Sequence, residues 1–190
     1  MAMPLALHRF TVDDYHRMAE AGVFHESDRV ELIRGQVVRM TPIGPGHSGC
    51  VGALTRVFAQ RVGAAALVWV QNPLHLGSHD EVQPDVCLLQ PRPGEYREVH
   101  PTPADVLLVI EVADTSVAYD RETNLRLYAE AGIPEAWLVI LPSETIEVCT
   151  TPGPDGYRTV RRFGRGESLH PIMLPRVAIS GDEILGHSRR

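Results

Sequence analysis

Two carboxylates stand at the ends of apolar runs. Asp85 follows Pro84 and opens the run Val86-Cys87-Leu88-Leu89. Glu111 closes the run Val106-Leu107-Leu108-Val109-Ile110. A short continuous apolar run with β-branched residues reads as a strand buried on both faces. In strand phase Asp85 shares a face with Cys87 and Leu89, and Glu111 shares one with Leu107, Val109 and Ala113. An ionised carboxylate in such a place is costly unless it is paired or binds a metal. Two neighbouring strands presenting carboxylates at their ends make an oxygen-rich site for a hard cation such as Mg²⁺. That ion can polarise a phosphate and activate water. The plain alternative is a structural ion pair with one of the eighteen arginines.

Other polar residues could join them. Glu31 lies in Arg29-Val30-Glu31-Leu32-Ile33 and reads either as a third acid or as a surface glutamate paired with Arg29 or Arg34. His47 heads an amphipathic stretch, four residues before Val51. It either touches a phosphate or packs beside the apolar stripe, the commoner role. Gln83 precedes Pro84 and is a candidate contact to phosphate or substrate. His75 and His79 have i,i+4 spacing, but Gly77 lies between them and no third ligand is evident, so they are discounted as a zinc site. Asn124, Leu127, Tyr128 and Ala131 fall on one helical face, with Arg121 one turn earlier. That face should pack on the sheet and point Arg121 and Asn124 toward Glu111. A polar pair on an apolar face needs a partner.

The elements that must position these residues follow from local pattern. Thr11 caps a short helix with Asp14 three residues on, and Gly22 ends it. Arg29 to Met40 reads as strand, break at Gly35, strand. His47 to Gly63 is a helix with Val51, Leu54, Phe58 and Val62 as its stripe. Ala66 to Leu76 and Val82 to Leu89 are strands around the turn residues Gly77 to Asp80. A proline-rich loop over 91–103 leads into the strand that ends in Glu111. Asp120 to Ala131 is a helix with Asp120 as N-cap and Gly132-Ile133-Pro134 as stop signal. Glu135 to Leu141 and Ile146 to Thr150 form a hairpin around Pro142-Ser143, and Tyr157 to Phe163 is a further strand. Helices alternating with strands argue for one α/β domain with a central mixed β-sheet over 1–190.

Composition removes several classes of function. The 190 residues are 44% hydrophobic, enough for a real core. No window approaches the ~20 apolar residues of a membrane span, and Met1 to Phe10 lacks signal-peptide architecture. A cytoplasmic location without membrane contact is the expectation. Cys50, Cys87 and Cys149 are odd in number and far apart, which suits reduced structural thiols. The net charge of −6 gives no support to nucleic-acid binding through bulk charge, though a local basic groove is compatible with it. All eighteen basic residues are arginine, so no step can use a lysine ammonium.

Several of these motifs occur together and in order: Val-Glu31-Leu-Ile-Arg-Gly, His47 after Pro45, Gln83-Pro84-Asp85-Val86, Ile110-Glu111-Val112-Ala113-Asp114-Thr115-Ser116, Tyr119-Asp120-Arg121, and Tyr128 through Trp137. Over residues 11 to 185 the chain resembles a large bacterial family of restriction-endonuclease type, a branch of the PD-(D/E)XK nuclease superfamily. The resemblance implies a restriction-endonuclease-like core, with Mg²⁺ (or Mn²⁺) held by Asp85, Glu111 and the Val112 carbonyl. It implies Glu31 as a further acid, DNA as the partner, and allows a homodimer. The position matching the family's lysine is Asn124, which can hydrogen-bond water or phosphate but carries no charge. Arg121 could supply charge but not shuttle a proton. The reading is therefore a metal-dependent DNA endonuclease with catalytic residues Glu31, Asp85, Glu111, Arg121 and Asn124. Its rivals are an inactive relative that binds DNA or a protein, and, further behind, a small-molecule metal hydrolase.

Overall fold

The computed structural model describes residues 7–25 and 27–186. Helix α1 (Val12–Glu20) opens on the expected cap: the Thr11 side chain accepts from Asp14 N, and the Asp14 carboxylate accepts from the Thr11 backbone. Strands β1 (Val30–Ile33) and β2 (Gln36–Arg39) form a hairpin. Its two turn residues, Arg34 and Gly35, both have positive φ (50° and 71°). That is the turn whose twist matches paired strands. Gly35 is needed there twice over, since a Cβ would also lie 2.7 Å from Arg9 Cβ. Helix α2 (Pro45–Val62) places its proline in the first turn, where the missing N–H costs nothing.

Strands β3 (Leu67–Trp69), β4 (Leu74–Gly77), β5 (Asp80–Val82) and β6 (Val86–Leu89) correct the sequence reading. The two continuous strands expected over 66–76 and 82–89 are each broken in the middle. Pro73 and Pro84 have no N–H to give a ladder, and Gln71 turns the chain at φ 48°. Gln71 N donates to Pro84 O at 3.1 Å across the double break. The outer halves, β4 and β5, join a four-stranded sheet ordered β2-β1-β5-β4.

The inner halves enter the main sheet, completed by β7 (Val106–Ala113), β8 (Glu135–Ile140), β9 (Thr145–Thr150) and β10 (Thr159–Phe163). Its order is β10-β9-β8-β7-β6-β3. Only β7 and β8 run parallel, because a helical crossover joins them. Every residue of β7 is buried, as a central strand covered on both faces requires. Short strands β11 (Ser168–Leu169) and β12 (Ile179–Ser180) pair near the end.

The crossover begins at helix α3 (Val117–Tyr119), passes through a π-turn over Asp120–Asn124, and continues as α4 (Leu125–Glu130). Asp120 is thus inside a helical segment and is not the N-cap. One face of the main sheet packs on α2 and on the last helix, α5 (Gly181–Leu185), through Leu54, Phe58, Trp137 and Ile184. The other face packs on α4 and the small sheet, through Cys87, Val109, Leu125, Tyr128 and Val82. The fold is a central mixed sheet flanked by helices.

Candidate active site

The double break between the sheets opens a cleft of about 530 Å³. Glu31, His47, Gln83, Asp85, Glu111, Val112 and Asn124 all line it. The expected acids come together because each is carried to the junction by a different element. Glu31 comes from β1 of the small sheet, Asp85 from the break before β6, and Glu111 from the end of β7.

Asp85 and Glu111 are laced together through the backbone. Asp85 N donates to Glu111 Oε2 at 3.3 Å, and Val112 N donates to Asp85 Oδ2 at 2.9 Å. His47, in the first turn of α2, places Nε2 2.9 Å from Asp85 Oδ2. Gln71 Nε2 donates to Asp85 Oδ1 at 3.1 Å. Glu31 is buried, which excludes the surface ion pair. Its Oε1 accepts from Gln83 N at 2.6 Å, so Gln83 positions an acid through its backbone while its side chain lines the cleft.

Three residues of the site escape sequence reasoning. Asp120 lines the cleft and accepts from Ser116 Oγ at 2.5 Å and from Asn124 Nδ2 at 3.1 Å. Tyr128 O–H donates to Glu111 Oε1. Ser116 lines the cleft beside them. Tyr128 lies on the face the helical period picks out, and Asp120 sits in the quoted Tyr-Asp-Arg motif. Reading Asp120 as a cap hid its role.

Asn124 does face Glu111, with Nδ2 3.5 Å from Glu111 Oε1. Arg121 does not. Its Nε and Nη2 donate to Glu147 Oε2 at 3.2 and 3.0 Å, in a separate groove shared with Arg162 and Tyr157. The expectation that Arg121 points into the site is corrected. The i→i+5 bond from Leu125 N to Asp120 O widens the turn and rotates Arg121 out of phase with Asn124.

The electrostatics are those of a buried acid cluster with His47 beside Asp85 as its basic partner. Glu31, Asp85, Glu111 and Asp120 are each only 7–8% exposed. Among the described residues no arginine pairs with any of them. Burial holds the Glu111 carboxyl well above its ordinary range, and the charges of Asp85 and Asp120 push it further. Burial likewise raises Glu31 and Asp120, with Asp85 adding to both. The hydrogen bond to Asp85 raises His47 against the opposing effect of burial. Asn124 Oδ1 is buried without a hydrogen-bond partner. Buried carboxylates that cannot all ionise alone are a good environment for a hard divalent cation.

The Uma2 family, described as "Putative restriction endonuclease", matches residues 12–180. A crystal structure of a "putative nuclease belonging to DUF820" from Anabaena variabilis ATCC 29413 superposes with a TM-score of 0.72 at 16% identity. The superposition covers 93% of this chain and 97% of that one. No curated protein matches.

Proposed function

The chain belongs to the Uma2 family of restriction-endonuclease type, and from that membership and the acidic cleft we propose that it hydrolyses phosphodiester bonds in DNA with the help of a divalent cation. The observation that carries the reading is the cluster of four buried carboxylates, Glu31, Asp85, Glu111 and Asp120, around one open cleft, none of them ion-paired with an arginine among the described residues. Asp85 and Glu111 would hold Mg²⁺ or Mn²⁺, with the Val112 carbonyl as a further oxygen. When bound, the cation polarises a phosphoryl oxygen and makes water more acidic.

The chain's own groups supply the rest. The first turn of α2 has no acidic residue and no side-chain cap, so the backbone N–H groups of Gly46 and His47 can receive a phosphate. Arg29 and Arg39 line the cleft, where they would meet the phosphates of a DNA backbone. Asn124 Oδ1 can accept a hydrogen from the attacking water and orient it, while its Nδ2 keeps Asp120 and Glu111 in place. Tyr128 fixes the Glu111 carboxylate and favours its ionised form. The cytoplasm suits three free, buried cysteines.

Supercoiled plasmid incubated with the purified protein and Mg²⁺ or Mn²⁺ tests this reading. Nicking or linearisation is expected, and it should vanish with EDTA and in Asp85→Ala. If no divalent ion gives cleavage above the Asp85→Ala background, a second reading takes over. In it the cleft binds DNA or a protein without cutting, as the neutral Asn124 would favour.

A further inference from the structure

The small sheet has a second face, turned away from the cleft. β1 pairs Leu32 with Glu81 of β5. Side chains alternate along a strand, so Leu32 and Glu81 leave on one face and Glu31 on the other. Leu32 packs there against Val12 and Tyr15 of α1. His75 of β4 stands directly across from Glu81 and shares that face. α1 then brings His16 over both.

Three ligand-type atoms converge beneath α1. His16 Nε2 lies 2.8 Å from Glu81 Oε2, and His75 Nε2 approaches the same oxygen. All three atoms are within 4.8 Å of one another. Glu81 is 5% exposed, and its ion-pair partners among the described residues are the two histidines. His75 Nε2 is buried, and its contact with Glu81 lacks hydrogen-bond geometry. A third imidazole, His100, packs 4.9 Å from His75 and 6.2 Å from His16, and its Nδ1 is also buried without a partner. A bulge between His75 and Gly77 in β4 re-aims this end of the strand.

Hydrogen bonds alone leave this cluster unsatisfied. Two imidazoles crowd one carboxylate oxygen, and the buried Nδ1 of His100 has no hydrogen-bond partner. Two histidine nitrogens and one carboxylate are instead a donor set for borderline transition-metal dications. Mg²⁺ and Ca²⁺ prefer all-oxygen sites. Zn–N distances of ~2.0–2.1 Å in a tetrahedral site put ligand atoms roughly 3.3 Å apart. The three atoms reach that spacing if both imidazoles draw back from Glu81 Oε2, His16 by about half an ångström and His75 by about one.

We propose that His16, His75 and Glu81 form a second metal site, for Zn²⁺ or a similar transition-metal dication, distinct from the acidic cleft. The ion ties α1 to the β4–β5 hairpin and leaves a fourth position for water or His100. His16, the most exposed of the three ligands, is the entry path.

Calorimetry tests the assignment on full-length protein stripped with EDTA and then held in excess Mg²⁺ to occupy the cleft. Zn²⁺ should bind with one equivalent. Binding should persist in Asp85→Asn and weaken by at least about 100-fold in His16→Ala, since losing even a supporting group costs roughly 10–100-fold in metal affinity. Circular dichroism confirms that each variant is folded, and Glu81→Gln provides a second ligand variant of unchanged size. Co²⁺ in place of Zn²⁺ should give a visible spectrum that His16→Ala abolishes. Zn²⁺ binding left unchanged by His16→Ala and Glu81→Gln overturns the proposal. So does Zn²⁺ binding that Asp85→Asn removes, or none at all in the folded Mg²⁺-saturated protein. Plasmid cleavage is not read here, so failure of this site and failure of the nuclease reading stay distinguishable.

Discussion

Asn124 Nδ2 donates to Asp120 Oδ1 across 3.1 Å, within a single π-turn that has both side chains lining the cleft. An α-helical turn would keep Arg121 in phase with Asn124. The extra residue in this turn sends Arg121 to Glu147 instead and leaves the cleft with a neutral amide where the family resemblance implies a lysine. π-turns of this kind are common at functional sites.

This geometry separates two substitutions. Asn124→Lys places an ammonium beside Glu111 and Asp120, where it can stabilise charge developing on the attacked phosphate. The cleavage rate should rise, by as much as the roughly 10²–10⁴-fold typical of a positioned catalytic group. Arg121→Ala should leave the rate within about twofold, because Arg121 lies outside the cleft. Plasmid-nicking rates of the two variants, measured side by side, decide this. A collapse of activity in Arg121→Ala would restore that residue to the site.

Burial raises the Glu111 carboxyl in the folded protein, so the native state holds a proton that the unfolded chain releases near pH 4.5. The sign is fixed. Stability from this group is present at low pH and declines as pH rises from about 4.5 through the folded value. Glu31 and Asp120 act in the same direction. Glu111→Gln should therefore raise Tm of the EDTA-treated protein at pH 8. About 1 kcal/mol corresponds to roughly 2–4 °C for a chain of this size. Scanning calorimetry from pH 5 to 8 checks it, and a lower Tm for Glu111→Gln at pH 8 would refute it.

Removing the Tyr128 hydroxyl should move a pH profile. Its hydrogen bond favours the ionised Glu111 carboxylate. In Tyr128→Phe that carboxyl should titrate higher still, so the acid limb of metal-dependent cleavage shifts to higher pH. A hydrogen bond to a charged group contributes roughly 1.5–3 kcal/mol, so activity at pH 7 should fall about 10- to 100-fold. A uniform loss of rate with no change in the pH profile would point to altered packing alone.

A divalent cation should stabilise the fold through the cleft. At 100 times its Kd, bound Mg²⁺ adds about 2.7 kcal/mol, equivalent to several degrees in Tm. Asp85→Asn should lose that rise while remaining folded without metal. Thermal melts with and without 10 mM Mg²⁺ (about 10 mM suffices for a weak site) provide the measurement. Equal rises in wild type and variant would place the Mg²⁺ elsewhere.

What the sequence determined by itself is what depends on near neighbours along the chain. The Thr11–Asp14 capping box, the Arg34-Gly35 hairpin turn, the fully buried β7 run and the order of helices and strands all follow from local pattern. So does the placement of Asp85 and Glu111 at the ends of apolar runs, though the adjacency of those two strands came from the sheet. Only the tertiary structure decided the rest. Whether 67–77 and 80–89 form two long strands or four short ones depends on which sheet each half pairs with, a long-range choice that local periodicity does not carry. Glu31 became a buried acid because Gln83 N, 52 residues away, meets it at the junction. Arg121 left the site because the turn from Asp120 to Leu125 widened to i→i+5, a rephasing that a helical wheel drawn at constant period cannot contain. The His16–His75–Glu81 cluster was hidden for the same reason. Its members are scattered over α1, β4 and β5, and only the packing of α1 across the sheet brings them within 4.8 Å.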